Sequence, residues 1–538
     1  MKRTSKIALI VVGVLLGIVA ALFVGLDVAM SRFVHREVNN ALAQKLPDCK
    51  VSFSGIHIRF FSATASVYDL QFTYRGAPLS KKDTIGPGAE IYVKEVAVGR
   101  LFYSMLLRKQ LCVHDIRIIN PEVELWMDEE HPEKSFPTPP PSDEEPQPFP
   151  FKRAELQRLH IRNASLALHS LRTKLDVRAD SCSLSLRELC YADSAFTYCD
   201  SIYSFSLGHA VVTVPDGDIR LETRDIHHRN QGVFAIGRTR LNNTMPRKAL
   251  GDRVKEPVTW IDLTFERVEL GAFNPIRKAL AQDLTLDKVN AVIAKMDVFR
   301  DERYEPKHPF PMPQEILTSL PFVYLVKHVD AQIKHIHIDF ASTDKNIGQL
   351  ESEGIKAVVK NVTNRKGQTM TVDGGCPLQS GRAVAHMAMT MDKECTFEQS
   401  LHAENINADF LNGFVRPLVG ISCECPIDTL DASYKGDAVA CKGTFCMQYN
   451  GLNIEVHQED DIPYKIIKDH AKTFQALGNS LIPKSNPTVV DPAARAYEIE
   501  WKRDEMKPVP LYLFGPCIDG VKKTFLPGLY VHKQVKRR

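Results

Sequence analysis

The sequence predicts a mostly β protein: one N-terminal transmembrane helix, then an elongated, twisted antiparallel β-sheet groove with a few short helices and a C-terminal amphipathic capping helix. Three observations predict it. Residues 7–26 form an uncharged apolar run. From Val51 onward apolar and polar residues alternate with period two. Segments with helical spacing are few. Strict alternation describes strands with one dry and one wet face, and antiparallel sheets accept that pattern most readily.

Composition sets the outer bounds. The chain has 538 residues, 68 Lys and Arg against 65 Asp and Glu, and a net charge of +3. That balance argues against a dedicated nucleic-acid binder. Hydrophobic residues make up 44% and charged residues 25%, which suits a folded chain. Twelve cysteines over this length are too dilute for a disulfide scaffold.

Residues 1–6, with Lys2, Arg3 and Lys6, are expected to stay cytoplasmic by the positive-inside rule. The run at 7–26 gives ~30 Å of helix, one bilayer core. It is longer than the apolar core of a cleaved signal peptide. Gly13, Gly17, Ala21 and Gly25 recur every fourth residue and put a stripe of small side chains where a partner transmembrane helix could approach. Residues 27–49 hold Phe33, Val34, Val38, Ala41, Leu42 and Leu46 at helical spacing, an amphipathic exit helix.

The β-rich body is divided by its prolines. Residues 128–150 contain eight prolines and seven acids and read as an extended linker or flap. They separate an N-terminal groove unit at 50–127 from the main groove at 151–462. A second Pro-rich stretch follows Glu305. Pro215-Asp216-Gly217 marks a hairpin turn. Helix candidates are Asn274–Leu286, Ile406–Leu418 and Pro463–Ile482, the last proposed to cap the open end of the groove within the terminal segment 463–538. Residues 287–299 fit helix or strand. At one strand per ~20 residues, the body would hold about 25 strands, ~120 Å of continuous sheet.

The alternating apolar positions that would line a groove are Phe53, Ile56, Ile58, Phe60, Val93, Val98, Ile116, Ile118, Val123, Leu125, Val212, Ile219, Leu221, Leu263, Phe265, Ile336, Ile338 and Phe340. Plain core packing in a sandwich produces the same alternation.

Motifs for chemistry are sparse. His335 and His337 share one strand face, half of a metal site without further ligands at the right spacing. Cys423, Cys425, Cys441 and Cys446 are close enough in sequence for a disulfide in an oxidising compartment, with buried thiols as the alternative. No nucleophile elbow, zincin motif, phosphate loop or dinucleotide fingerprint occurs, so neither an enzyme nor a cofactor is expected. The tail, with Lys522, Lys523, Lys533, Lys536, Arg537 and Arg538, suits an anionic lipid or partner surface.

The order of several segments resembles the AsmA family of bacterial envelope proteins. After the basic start and the apolar run come V-S-F-S-G-I-H-I-R-F-F (Val51–Phe61) and V-H-D-I-R-I-I-N-P-E-V-E-L (Val113–Leu125). I-L-T-S-L-P-F (Ile316–Phe322), K-A-V-V-K-N-V-T-N (Lys356–Asn364) and G-T-F-C-M-Q-Y-N-G-L-N-I-E-V (Gly443–Val456) follow, then G-N-S-L-I (Gly478–Ile482) and Asn486-Pro487. The resemblance implies a single-pass inner-membrane protein whose bulk lies in the periplasm. It implies a bridge-like β-groove that carries phospholipid acyl chains and serves outer-membrane homeostasis, with an outer-membrane protein as a further partner. The alternative is a non-transporting envelope scaffold that assists outer-membrane assembly by binding proteins.

Overall fold

A computed structural model describes residues 49–59, 62–79, 84–101, 110–128, 130–135, 153–192, 195–197, 204–214, 219–229, 233–271, 284–319, 323–343, 346–378, 381–457, 480, 482–489, 492–527, 530 and 533–535. Residues 1–6, the run at 7–26 with Gly13, Gly17, Ala21 and Gly25, and almost all of the expected exit helix at 27–49 lie outside them. So do Phe60 and most of the expected helices at 274–286 and 463–482. Among the described residues no helix is long and apolar enough to cross a membrane. The protein is mostly β, in two compact units, residues 1–232 and 233–538.

In the first unit β1 (Cys49–Ser52) and β2 (Gly55–Arg59) both pair with β3 (Thr64–Arg75). Next come β4 (Gly88–Leu101), β5 (Gln110–Met127), β6 (Arg153–Ser170) and β7 (Asp176–Ala192). The short β8 (Ala195–Thr197) and then β9 (Ser204–Val214) pair with β7, and β9 pairs with β10 (Ile219–Arg229). Val214 faces Ile219 across the expected hairpin.

In the second unit β11 (Phe234–Ile236) and β12 (Thr239–Asn243) pair with β13 (Val258–Gly271), after a short helix α1 (Arg247–Val254). The sheet continues through β14 (Leu284–Leu286) and β15 (Lys288–Asp301), β16 (Tyr324–Ala341), β17 (Ile347–Thr363), β18 (Thr369–Leu378), β19 (Gly381–Thr390) and β20 (Phe397–Asn407). It goes on through β22 (Pro426–Gly436) and β23 (Ala440–Asn450) to β25 (Ser485–Asn486), β26 (Ala494–Lys502) and β27 (Lys533–Val535). A separate two-stranded sheet joins β21 (Ile421–Glu424) to β24 (Asn453–Val456). Among the described residues three further helices are α2 (Pro313–Thr318), α3 (Asn412–Val419) and α4 (Val509–Phe525). Residues 288–301 are therefore strand, and the candidate 406–418 is strand to Asn407, then a 3-10 turn and α3.

The sheet is mixed, which corrects the expectation of purely antiparallel pairing. β5 runs parallel to β6 from Gln110↔Arg153 to Met127↔Ser170. β14 and β15 run parallel to β16 from Leu284↔Tyr324 to Asp301↔Ala341. Parallel neighbours need a connection as long as the strand, because the chain must return to the starting edge. For the 18-residue β5 that distance is ~60 Å, and extended proline-rich chain covers ~3.1 Å per residue where a helix covers half as much. Both Pro-rich stretches fall at these two returns, so they are crossovers within a unit. Each begins at a wholly buried carboxylate held by an arginine. Arg172 Nε donates to Asp128 at 2.6 Å and keeps that carboxyl below its ordinary range. Arg303 donates to both oxygens of Asp301, at 2.9 and 2.7 Å.

A second device spans the strands of the first unit. Asp69, Asn120, Asn163, Ser181 and Asp225 all have left-handed backbone, φ between 47° and 58°. The register brings them into one transverse line: Asp69 falls beside Lys94, Lys94 beside Asn120, and Asn120 beside Asn163, whose Nδ2 donates to Asn120 Oδ1 at 3.1 Å. At this line the apolar positions change parity, from Ala65 and Val67 to Leu70 and Phe72, and from Ile116 and Ile118 to Val123 and Leu125. A strict two-residue period would then send half of each strand's apolar residues to the wet face. One left-handed step re-aims the chain and keeps both halves on one side, as a bulge does. The second unit repeats the parity change between Phe265 and Val268, at a register shift, between Ile333 and Ile336, and at Gly354 (φ 69°).

Two predictions follow from these devices. Asn120→Val should destabilise by about 2 kcal/mol, through left-handed strain on a β-branched residue and the lost amide bond, whereas Asn120→Gly should stay close to wild type; urea unfolding of both variants compares them. Arg303→Ala leaves Asp301 buried without its bidentate partner and should cost about 3–5 kcal/mol, read as a lowered melting temperature.

Candidate functional site

The expected groove residues keep their place on strands, and their burial identifies the kind of face they form. Only Ile56 and Val93 are buried. Phe53, Ile58, Val98, Ile116, Ile118, Val123, Leu125, Val212, Ile219, Leu221, Leu263, Phe265, Ile336, Ile338 and Phe340 are half-buried. Apolar side chains between two packed sheets would be sealed from water. These strands have neighbours in their own layer and leave the apolar side partly open. Phe340 is partly covered in another way, by the ring of Phe414 on α3, 5.8 Å away.

The residues that organise the site are smaller than those expected. Across β15 to β20, cross-strand partners form an in-register row: Ala291, Ala331, Ala357, Gly374, Ala385 and Leu401. Ala432 and Phe445 extend it to β22 and β23. Partners in register share a face. Two residues along on one side lie Val289, Val329, Val359, Val372 and Met387; on the other lie Ile293, Ile333 and Ile355. The result is a lane of methyl-sized side chains between two taller apolar rows. A Cβ built at Gly374 would meet only the Lys356 carbonyl oxygen, at 3.8 Å, so the space above the lane is open. A trough of about 1190 Å³ crosses the same band of the sheet from β15 to β26, but the taller Val and Ile rows do not line it. Its walls are the alternate positions on either side of the row, among them Val292, Val358, Val384, His386, His402 and Asp431, so it opens on the face opposite the lane. There His386 pairs with Asp373 at 2.6 Å and His402 with Asp431 at 2.7 Å, a wet, ion-paired surface.

Three covers frame the lane on its apolar side. The second crossover lays Phe310, Met312 and Leu317 against Met370, Met389 and Phe397. Helix α3 sits at the other end of the strands, with Leu418 against Gly348. Helix α4 closes β20 to β26: Tyr512 meets Phe397 edge-on at 5.7 Å, and Phe525 meets Tyr449 at 5.5 Å. This helix was not legible in the sequence because Pro510, Gly515, Pro516 and Gly520 interrupt its pattern. Gly520 explains itself in three dimensions: a Cβ there would stand 2.2 Å from the Phe445 ring.

The other candidates gather no chemistry. His337 is held between Glu351 (2.8 Å) and Asp339 (2.9 Å), and His335 reaches Glu353 at 3.4 Å. Among the described residues no group of three or more His, Cys, Asp or Glu could hold a metal ion. Cys423, Cys425, Cys441 and Cys446 are free thiols. Cys441 and Cys446 lie five residues apart on β23 and so point to opposite faces. Burial pushes the Cys425 thiol up to about 12, and those of Cys441 and Cys446 up to about 11. At pH 8 these three should resist iodoacetamide in the native protein and react once it is denatured, as read by peptide mass spectrometry; labelling of native Cys425 at the denatured rate would contradict the burial.

No protein-family model matches the chain, and no curated protein matches it.

Proposed function

We propose that the protein binds the hydrocarbon tails of phospholipids along the small-residue lane of its second unit and conducts or shields them in the cell envelope. The observation that carries this reading is the in-register row from Ala291 to Leu401, half-exposed or exposed, between taller Val and Ile rows. Across five strands at ~4.8 Å spacing the lane is ~20 Å long, which suits a flexible chain better than a compact metabolite. Each buried methylene contributes about 0.8 kcal/mol without directional bonds, so a tail is held at many equivalent positions and can slide between them.

The AsmA-like order of segments and the apolar run at 7–26 support the same reading. On it, the chain is a single-pass inner-membrane protein with its bulk in the periplasm, its substrate is phospholipid, and its chemistry is binding, without catalysis or cofactor.

Purification of the full chain followed by lipid mass spectrometry tests the proposal. Wild-type protein should retain phospholipid. Filling the lane with Ala331→Phe, Ala357→Phe and Ala385→Phe should lower bound lipid by about tenfold at unchanged melting temperature, because these positions are not sealed in a core. Wild-type protein free of lipid, or a filled variant that retains it all, would defeat the conduit and leave the protein-binding scaffold.

A further inference from the structure

Helix α4 has a second face that the sheet does not use. Its inner side buries Val509, Tyr512, Gly515, Pro516, Gly520 and Thr524. Its outer side carries Leu511, Phe514 and Ile518, which are 40%, 52% and 58% exposed. Spacings of three and four place these three on one stripe, and the exposed Lys522 follows one turn later on the same stripe. At the start of the helix two more apolar side chains are exposed, Met506 and Val439. Hydrogen bonds from Arg503 N to Val439 O and from Tyr512 Oη to Asp437 O, both 2.8 Å, fix that turn beside the helix.

Charge selects the occupant. Residues 502–538 hold nine Lys and Arg against three Asp and Glu, while the whole chain nets only +3, so the excess of positive charge is concentrated here. An apolar stripe ending in lysine, within a cationic segment, is the pattern of a helix that lies in the interface of an anionic membrane. A second copy of the same surface would bring like charges together. We propose that α4 docks this end of the second unit onto an anionic lipid bilayer, with Leu511, Phe514 and Ile518 entering the acyl boundary and the surrounding lysines meeting the headgroups. The proposal does not rest on the lipid-binding lane: docking concerns the outer face of α4, which points away from the sheet.

The test uses the full chain reconstituted in one set of vesicles and measures capture of a second, fluorescent, protein-free set. Wild type should capture vesicles of phosphatidylethanolamine with about 30 mol% phosphatidylglycerol and leave pure phosphatidylcholine vesicles in solution. The triple variant Leu511→Ser, Phe514→Ser, Ile518→Ser should lower capture by about tenfold, and Lys522→Glu should weaken it in a salt-sensitive way. The substituted side chains are exposed, so melting temperature and co-purified phospholipid should both stay at wild-type values. Equal capture by the folded triple variant, equal capture of neutral vesicles, or no capture by wild type would overturn the proposal. Loss of capture with retained lipid would leave the lane reading intact, so the two can fail separately.

Discussion

Everything in this structure depends on keeping apolar side chains on one side of a single-layer sheet whose strands reach 18 residues. A strand alternates sides with a period of two, and any slip reverses it. Over such lengths the parity does change, and the left-handed residues Asp69, Asn120, Asn163, Ser181 and Asp225 sit where it changes. The choice of residue follows from sterics, because Asn and Asp tolerate left-handed backbone better than most residues that carry a Cβ. Four of the five are Asp or Asn: Asp69, Asn120, Asn163 and Asp225. The line is therefore a structural element in its own right, with left-handed residues on β3, β5, β6, β7 and β10.

The same constraint governs how the apolar side is finished. A sandwich would seal it with a second sheet; here three small covers do so in part. The proline-rich crossover reaches Met370 and Met389, α3 reaches Phe340, and α4 closes the region around Phe445. Between them the row from Ala291 to Ala385 stays accessible. Small side chains are costly choices for a strand in propensity terms, since Ala and Gly pack little surface on a pleated face. Their alignment across five consecutive strands makes sense if the space above them has a use, which is the premise of the proposed lipid site. The opposite face carries the His386–Asp373 and His402–Asp431 pairs.

The prolines illustrate how a local signal leaves the path of the chain open. Their density excludes helix and sheet interior, and the residues 128–150 were expected to join two units in series. The pairing of β5 with β6 makes them a return within one sheet. Only the register, Gln110 beside Arg153 and Met127 beside Ser170, carries that information, because sequence separation is the same for either path. The buried carboxylates Asp128 and Asp301 mark the two returns, yet neither differs locally from any surface acid at the end of a strand.

By itself the sequence determined the mostly β fold class, the strand-rich body, the hairpin at residues 214–219 and the strand positions of the apolar residues from Phe53 to Phe340, because period-two alternation is a local property written in every strand. It also carried the resemblance that suggests a lipid-handling role. Tertiary structure alone decided which strands are parallel, which alanines line up, and that Val509–Phe525 is a helix despite its prolines and glycines. Those outcomes depend on contacts between distant residues, Ala357 with Gly374 or Gly520 with Phe445, and a one-dimensional pattern has no place to record them.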